Sequence, residues 1–309
     1  MMKKNVLSFR NLNKIYTRKN SNSIKALNNL NLDVNEGEIF GLLGPNGAGK
    51  TTFINILGGI VIKTSGQVNV QGFDLDKDPR QVRASIGIVP QEINLDPFFS
   101  PRKLLELQAG MYGIKKKDRI TDQVLKIVSL EKYANSYARS LSGGMKRRLL
   151  VAKALVHQPP IIILDEPTAG VDVELRKNLW ENVKQLNKQG VTIILTTHYL
   201  KEAELMCDRI GVLNKGNLVA LDSTQNLLNR IQMKKVTFKL NNRIELDENM
   251  FKSLKIIYNK DNELSLSYDK NKIKIEEIIK FITSKNINID DISTNDGDLE
   301  DVFLQLTND

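Results

Sequence analysis

The sequence predicts an α/β fold with a mostly parallel core sheet. Two short apolar runs, Ile161 to Leu164 and Val191 to Thr196, have the length and composition of buried strands, and a helical stretch from Leu175 to Asn187 separates them. A third apolar run, GEIFGLLGP, leads directly into a phosphate-binding pattern. Strands that alternate with helices in this way form parallel sheets covered by helices.

The remaining elements follow from the residue patterns on either side of these strands. The segments VLSFRNLNKIY and SIKALNNLNLDV near the start alternate apolar and polar residues, which is typical of half-buried strands. Apolar residues at helical spacing, such as Leu104, Leu105 and Met111, then predict a helical insert over about 98–150. We expect these elements to form one domain spanning 1–228.

A change in composition marks a second domain at 229–309. Lys, Asn, Ile and Asp dominate there, with strand-like VTFKL and ELSLSY and helix-like IEEIIKFI and DLEDVFLQL. The same composition is compatible with disorder. However, Phe238, Leu264, Ile278 and Phe303 offer apolar surface for a modest core. We therefore predict a small α+β C-terminal domain.

Composition indicates a core-forming protein that does not cross a membrane by itself. Of 309 residues, 41% are hydrophobic and 26% charged, and no uncharged run exceeds 12 residues, short of the roughly 20 that span a bilayer. The first residues lack the apolar run of a signal peptide. The single cysteine, Cys207, suits a reducing compartment and is expected to be a buried structural thiol. We expect a cytoplasmic location.

Positive charge is concentrated in the first domain. Residues 1–228 hold 32 Lys and Arg against 21 Asp and Glu, whereas 229–309 hold 13 against 15. A basic surface can serve nucleic acid, anionic lipid or nucleotide phosphate. We interpret the runs Lys115 to Lys117 and Lys146 to Arg148 as solvated helix faces. No aromatic residues alternate with them, so no nucleic acid is expected.

GPNGAGKTT at residues 44–52 matches the phosphate-loop pattern between a strand and a helix. Its members are Gly44, Pro45, Asn46, Gly47, Ala48, Gly49, Lys50, Thr51 and Thr52. The amides from Asn46 to Thr51 can cradle the β- and γ-phosphates, and Gly47 and Gly49 allow close approach of the main chain. Lys50 should neutralise phosphate charge, the Thr51 hydroxyl should bind Mg²⁺, and Thr52 starts the helix beside the α-phosphate.

The strand IIIL ends in two carboxylates, Asp165 and Glu166. The carboxyl end of a buried strand faces the crevice in which α/β proteins bind ligands. Asp165 is expected to reach Mg²⁺ through water, and Glu166 to polarise the water that attacks the γ-phosphate. The simpler alternative is that both residues only cap the strand.

The stretch Leu141, Ser142, Gly143, Gly144 and Met145 precedes KRRLLVAKAL. This pattern is a turn that feeds a helix N-terminus, where free N–H groups and the helix dipole attract an anion. By itself such a stretch is weak evidence for an anion site, because short SGG stretches are usually flexible loops.

Together these motifs resemble the ATP-binding subunit of ATP-binding-cassette (ABC) transporters over about residues 5–225. In this resemblance Tyr16 corresponds to the aromatic that stacks on adenine, although a plain strand aromatic remains an alternative. Gln91 corresponds to the glutamine that senses Mg²⁺, LSGGM to the signature, Asp172 to the end of a dimer loop, and His198 to a γ-phosphate sensor. His157, the other histidine, is expected to be structural.

The resemblance implies a fold, a mechanism and partners. The fold is a P-loop NTPase of ABC type with an N-terminal antiparallel β subdomain and an inserted helical subdomain. The chain would hydrolyse ATP with Mg²⁺, and its signature would close over ATP on a second copy, or on a homologous subunit, in a head-to-tail dimer linked by Asp172. A multi-span permease on a separate chain would hold the dimer at the inner face of the cell membrane.

Departures from the family pattern point to one branch. Met145 stands where glutamine is common, and Val171 and Val173 replace the residues of GLDP. LSGGM followed by KRR, together with an ending like DLEDVFLQLT, resembles the branch that exports drugs, lipids and polymers. In SPRKLLEL, Lys103 replaces the usual acid, which puts the usual coupling contact in doubt.

The sequence disfavours two alternative functions. A soluble ABC ATPase acting on nucleic acid or the ribosome generally carries a long coiled-coil insertion or two cassettes, and this sequence has neither. A signalling GTPase would need a guanine-reading NKxD, and NKGN at residues 214–217 lacks the final acid.

Overall fold

The computed structural model describes residues 4–18, 21–169, 173–229, 233–241, 254–260, 262–295 and 298–307. The chain divides into two compact units, residues 1–222 and 223–309. The boundary predicted from composition lies six residues further on. Among the described residues, no helix is long and apolar enough to cross a membrane.

The first unit contains ten strands and seven α-helices among its described residues. In chain order they are β1 (Asn5–Arg18), β2 (Ser21–Asn35), β3 (Ile39–Leu43), α1 (Lys50–Leu57), β4 (Ser65–Val70), β5 (Phe73–Asp74), α2 (Pro79–Ala84), β6 (Ile86–Val89), α3 (Pro101–Met111), α4 (Thr121–Ile127), α5 (Gly143–Leu155), β7 (Ile161–Asp165), α6 (Val173–Lys188), β8 (Thr192–Thr197), α7 (Leu200–Met206), β9 (Arg209–Asn214) and β10 (Asn217–Ser223). Short 3₁₀ helices lie at Lys116–Asp118, Glu131–Tyr133 and Ala138–Ser140.

Two sheets form this unit. The first is antiparallel with the strand order β2-β1-β4-β5. The second has the order β10-β9-β3-β8-β7-β6, and β9, β3, β8, β7 and β6 run parallel. Every residue of β3, β7 and β8 is buried, because helices cover parallel sheets on both faces. The α/β prediction and its apolar strands are confirmed.

One apolar cluster contains residues of both sheets and of α1. Phe9 of β1 and Phe53 of α1 are fully buried, with ring centroids 4.7 Å apart. Residues of the parallel strands, including Leu42 and Ile163, belong to the same cluster. This packing fixes α1, and therefore the loop that precedes it, against the carboxyl end of β3.

The helical insert consists of α3, α4 and α5, which contact one another. Ser100 caps α3 by accepting a hydrogen bond from the Lys103 amide, and Pro101 occupies the first turn, where its missing N–H has no cost. Lys115 to Lys117 are exposed as predicted. The prediction for Lys146 to Arg148 is wrong at Arg147, which is 5% exposed.

The second unit is a small α+β structure. Its elements are α8 (Thr224–Asn229), β11 (Met233–Leu240), β12 (Leu254–Lys260), β13 (Glu263–Asp269), α9 (Ile275–Ser284), β14 (Ile289–Asn295) and α10 (Leu299–Thr307). The strands form an antiparallel sheet of order β12-β13-β11-β14. Its core contains Val236, Phe238, Leu264 and Ile278, so the described residues of this region are folded.

Candidate functional site

The chemistry-bearing residues meet around a cavity of about 670 Å³ at the carboxyl end of the parallel sheet. Most of the polar lining lies in segments that follow strands of this sheet: the loop after β3, Gln91 after β6, Glu166 after β7 and His198 after β8. One side of the cavity is formed by β2. The residues lining the cavity are Ile24, Lys25, Ala26, Asn46, Gly47, Ala48, Gly49, Lys50, Thr51, Thr52, Gln91, Glu166, His198 and Lys215.

The phosphate loop wraps around the start of α1. Gly49 caps the helix with φ 113°, a conformation that favours glycine. The Lys50 ammonium is 6% exposed and donates to the carbonyl oxygens of Gly44, at 2.6 Å, and Pro45, at 3.2 Å. Burial lowers the pKa of Lys50, while Glu166 and Asp165 oppose that shift. The loop thus holds the Lys50 ammonium where an anionic ligand could bind.

Glu166 is the centre of the polar contacts in the cavity. Its Oε1 lies 3.9 Å from Lys50 Nζ, and its Oε2 accepts from Gln91 Nε2 at 3.2 Å and lies 3.0 Å from His198 Nδ1. Its backbone is left-handed, with φ 45°, and its N–H donates to the Thr196 carbonyl at 3.0 Å. Three of the residues predicted from sequence therefore converge on one carboxylate.

Asp165 directly precedes Glu166 in the chain and is 8% exposed. Thr196 Oγ1 donates to its Oδ1 at 2.6 Å. Burial raises the pKa of Asp165; the Thr196 hydrogen bond, Lys50 and Arg147 oppose that rise, and Glu166 adds to it. The exposed Thr51 hydroxyl, the Gln91 amide and the Asp165 carboxylate supply the oxygen ligands that Mg²⁺ prefers. This donor set fits the ion.

Arg147 is a residue of the site that sequence reasoning missed. Its guanidinium donates to the carbonyls of Pro90, Gln91, Glu166 and Pro167 at 2.6–2.9 Å. It therefore joins the segments that follow β6 and β7. The available signal was its spacing, three and four residues before the buried Leu150 and Val151 of α5, which places it on the buried face of that helix.

Tyr16 lies beside the cavity rather than in the core. It is 37% exposed and lies directly opposite Ile24 in the β1–β2 register. Directly opposite residues of an antiparallel pair share a face, and Ile24 lines the cavity. The Lys14 ammonium is 4.7 Å from the centroid of the Tyr16 ring. Ile24, Lys25, Ala26 and Lys215 of the cavity wall were not identified from the sequence.

The signature residues are not brought to this cavity. Leu141 is buried, Ser142 and Gly143 are exposed, and Gly144 and Met145 are partly buried. Ser142 caps α5 by accepting from the Met145 amide at 3.3 Å. All five residues are described, and none lines the cavity. Asp172, the predicted dimer residue, lies outside the described residues.

His157 and Cys207 are placed as structural residues. The His157 ring stacks on Tyr112 with centroids 3.8 Å apart, and its Nε2 lies 3.1 Å from the Ile86 carbonyl oxygen. Burial lowers the pKa of His157. Cys207 is 6% exposed, and burial raises the pKa of its thiol.

Comparison with known proteins places this chain in a family. The family model described as "ABC transporter" matches residues 27–169. The linearmycin resistance ATP-binding protein LnrL of Bacillus subtilis is 34% identical over 98% of both chains. A Nod factor export ATP-binding protein I of Cupriavidus pinatubonensis is 40% identical over 68% of this chain and 66% of its own length. ABC transporter A family member 12 of Arabidopsis thaliana is 36% identical over 96% of this chain, which spans 34% of that relative.

Solved structures of ATP-binding cassettes are similar to this chain. A dimeric ATP-binding cassette in a post-hydrolysis state, bound to ADP and Pi, has a TM-score of 0.63 and 30% identity over 71% of this chain and 98% of its own. An ATP-binding subunit of an ABC transporter has a TM-score of 0.65 and 28% identity over 73% of this chain and 92% of its own.

The fold and the site therefore define an ATP-binding-cassette ATPase. The chain belongs to the ABC transporter family, as an ATP-binding subunit with relatives named for export and resistance.

Proposed function

We propose that this chain powers an ABC exporter by binding and hydrolysing ATP with Mg²⁺ at the Glu166 cavity, in a head-to-tail dimer. The observation that carries the proposal is the convergence of Lys50, Gln91 and His198 on the Glu166 carboxylate. A carboxylate held among such partners can accept a proton from the attacking water, a contribution worth about 10²–10⁴ in rate.

The proposal assigns roles to the other residues that their positions support. The amides from Asn46 to Thr51 and the Lys50 ammonium bind the phosphates, while Tyr16 stacks on adenine beside Ile24. Thr51, Gln91 and Asp165 would hold Mg²⁺, which would supply neutralisation of phosphate charge. His198 positions Glu166 and contacts the γ-phosphate.

The signature completes the site of a second copy. Ser142 and Gly143 are exposed at the N-terminus of α5, where unpaired amides and the helix dipole bind phosphate. They do not line the cavity of their own chain, and a structural relative is a dimeric cassette. These observations support ATP bound between the phosphate loop of one copy and the signature of the other.

A separate multi-span permease is the proposed membrane partner, and it holds the dimer at the inner face of the membrane. Relatives are named for Nod factor export and for linearmycin resistance, which supports the export direction. The test is to isolate the full chain from membranes and identify its associated polypeptide. A multi-span protein is expected, whereas recovery with ribosomes or DNA would overturn the proposal.

The Glu166→Gln variant tests the catalytic assignment. The amide cannot accept the proton of the attacking water, so hydrolysis should fall by about 100-fold or more while ATP still binds. An ATP-bound dimer should then accumulate on size-exclusion chromatography. Glu131→Gln, which alters an exposed carboxylate in the helical insert, is the control. Near-normal hydrolysis by Glu166→Gln would exclude Glu166 as the base.

A further inference from the structure

Arg147 is a buried cation whose hydrogen bonds, within the described ranges, all go to backbone carbonyls. It is 5% exposed, and in the part of the chain that the structure describes its guanidinium forms hydrogen bonds but no ion pair. Burying a charge without compensation is costly. Four carbonyl dipoles supply that compensation here. The guanidinium is therefore fixed in place by its hydrogen bonds.

The two halves of the guanidinium serve different segments. Nη1 donates to the carbonyls of Pro90, at 2.9 Å, and Gln91, at 2.6 Å. Nη2 and Nε donate to those of Glu166 and Pro167, each at 2.9 Å. The planar fork of arginine suits such bridging, because its donors point in fixed directions. The fork therefore sets the separation between Gln91 and Glu166.

The Glu166 backbone needs this support. Its φ of 45° lies in the left-handed region, and the residue precedes Pro167, whose ring further restricts the residue before it. Such a conformation is strained for a residue other than glycine and persists only where the surroundings enforce it. The Thr196 carbonyl holds the Glu166 N–H on one side, and Arg147 holds the Glu166 carbonyl on the other.

Arg147 also belongs to the signature helix. α5 begins at Gly143, so Arg147 lies about one turn from the amides proposed to bind the phosphate of a second copy. A rigid helix with a buried arginine in its second turn links that end of α5 to Gln91 and Glu166 in the same chain.

We propose that Arg147 is a positioning residue for ATP hydrolysis, whose guanidinium holds Glu166 and Gln91 at their catalytic separation and ties both to the signature helix. The proposal rests on the roles of Glu166 and Gln91 given under Proposed function. The proposed role affects hydrolysis rather than ATP binding, because among the described residues Arg147 forms its hydrogen bonds with the segments after β6 and β7 and none with the phosphate loop.

Steady-state hydrolysis by the full chain tests this role in Arg147→Gln. We expect kcat to fall about 10- to 100-fold, as misplacement of catalytic groups does, while the Kd for ATP from equilibrium dialysis changes by less than about threefold. The matched control is Arg148→Gln, since Arg148 is the next residue of α5 and donates to the carbonyls of Val128 and Ser129 instead. It should leave both kcat and Kd nearly unchanged.

Arg147→Lys provides a second test, including the case in which Arg147→Gln does not fold. Lysine keeps the charge, but one ammonium cannot bridge both pairs of carbonyls, so kcat should remain reduced in a protein that melts near the wild-type temperature. Full activity in either variant, or an equal loss of kcat and ATP affinity, would overturn the proposal. If Glu166→Gln does not hydrolyse ATP while Arg147→Gln hydrolyses it at the wild-type rate, only the role of Arg147 is excluded. If Glu166→Gln is active, the assignment of Glu166 as the base under Proposed function is excluded as well.

Discussion

At the scale of single residues, two adjacent carboxylates have different surroundings. Asp165 and Glu166 are equally buried, yet Glu166 faces the cavity and three polar partners, whereas Asp165 is bonded to Thr196. Burial raises the pKa of Asp165 because the ionised form loses water. The ligand-free site therefore carries a carboxylate that a bound cation would stabilise.

Asp165→Asn is expected to stabilise the ligand-free chain while preventing Mg²⁺-dependent hydrolysis. Because the folded state binds the Asp165 proton more tightly than the unfolded state does, wild-type stability falls as the pH rises from the ordinary aspartate range through the raised pKa. An uncharged amide lacks this penalty. Each 1 kcal/mol gained would raise the melting temperature by about 2–4 °C.

Thermal unfolding of both proteins across a pH series, without nucleotide, measures this difference. The advantage of Asp165→Asn should be largest at neutral pH and should shrink as the pH is lowered. A wild-type protein that is the more stable at neutral pH would contradict the expected sign.

At the scale of elements, the sequence predicted those strands and loops whose residue pattern lies within one contiguous segment. The buried strands β3, β7 and β8 are apolar throughout, and the phosphate loop is contiguous. The prediction is wrong for Arg147, because three successive basic residues are typical of a solvated face and its partners at residues 90–91 and 166–167 are distant in sequence. Ile24 could not be assigned to the cavity, because its face depends on the β1–β2 register, which bulges interrupt.

Gly49→Ala tests how tightly α1 is set against β2. A Cβ at Gly49 would meet the Ala26 carbonyl oxygen at 2.5 Å, in addition to the strain of φ 113°. We expect destabilisation of about 1–3 kcal/mol and loss of ATP binding, because the loop amides must shift. Gly190→Ala is the control: its φ is 94°, but its Cβ would meet nothing within 4 Å.

Chemical denaturation and equilibrium ATP binding separate the two effects. Gly190→Ala should carry only the cost of positive φ and should bind ATP normally. Equal unfolding free energies for the two variants would show that α1 and β2 accommodate the added methyl group without destabilising the fold.

At the scale of the whole molecule, the proposed active site is larger than one chain. The ATP cavity and the signature both belong to the first unit, but the cavity is lined without the signature. If two copies assemble head to tail, each composite site takes its phosphate loop from one copy and its signature from the other. Variants in the two parts should then complement each other when mixed.

Lys50→Ala and Gly143→Asp are the variants to mix. Lys50→Ala disables the phosphate loop, whereas Gly143→Asp places a negative charge at the proposed phosphate contact, and a Cβ at Gly143 meets nothing within 4 Å, so the folded chain accommodates it. Each variant alone should be inactive. In a mixed dimer, the intact loop of the Gly143→Asp copy faces the intact signature of the Lys50→Ala copy, so random assortment should restore about a quarter of wild-type hydrolysis.

Mixing Lys50→Ala with Glu166→Gln is the decisive control. Both changes lie on the same side of the composite site, so every mixed dimer has two defective sites and no activity should return. Recovery in the first mixture alone requires that the signature act on ATP bound to the other copy. Absence of recovery in both mixtures, or equal recovery in both, would contradict the head-to-tail arrangement while leaving ATP binding by the single chain intact.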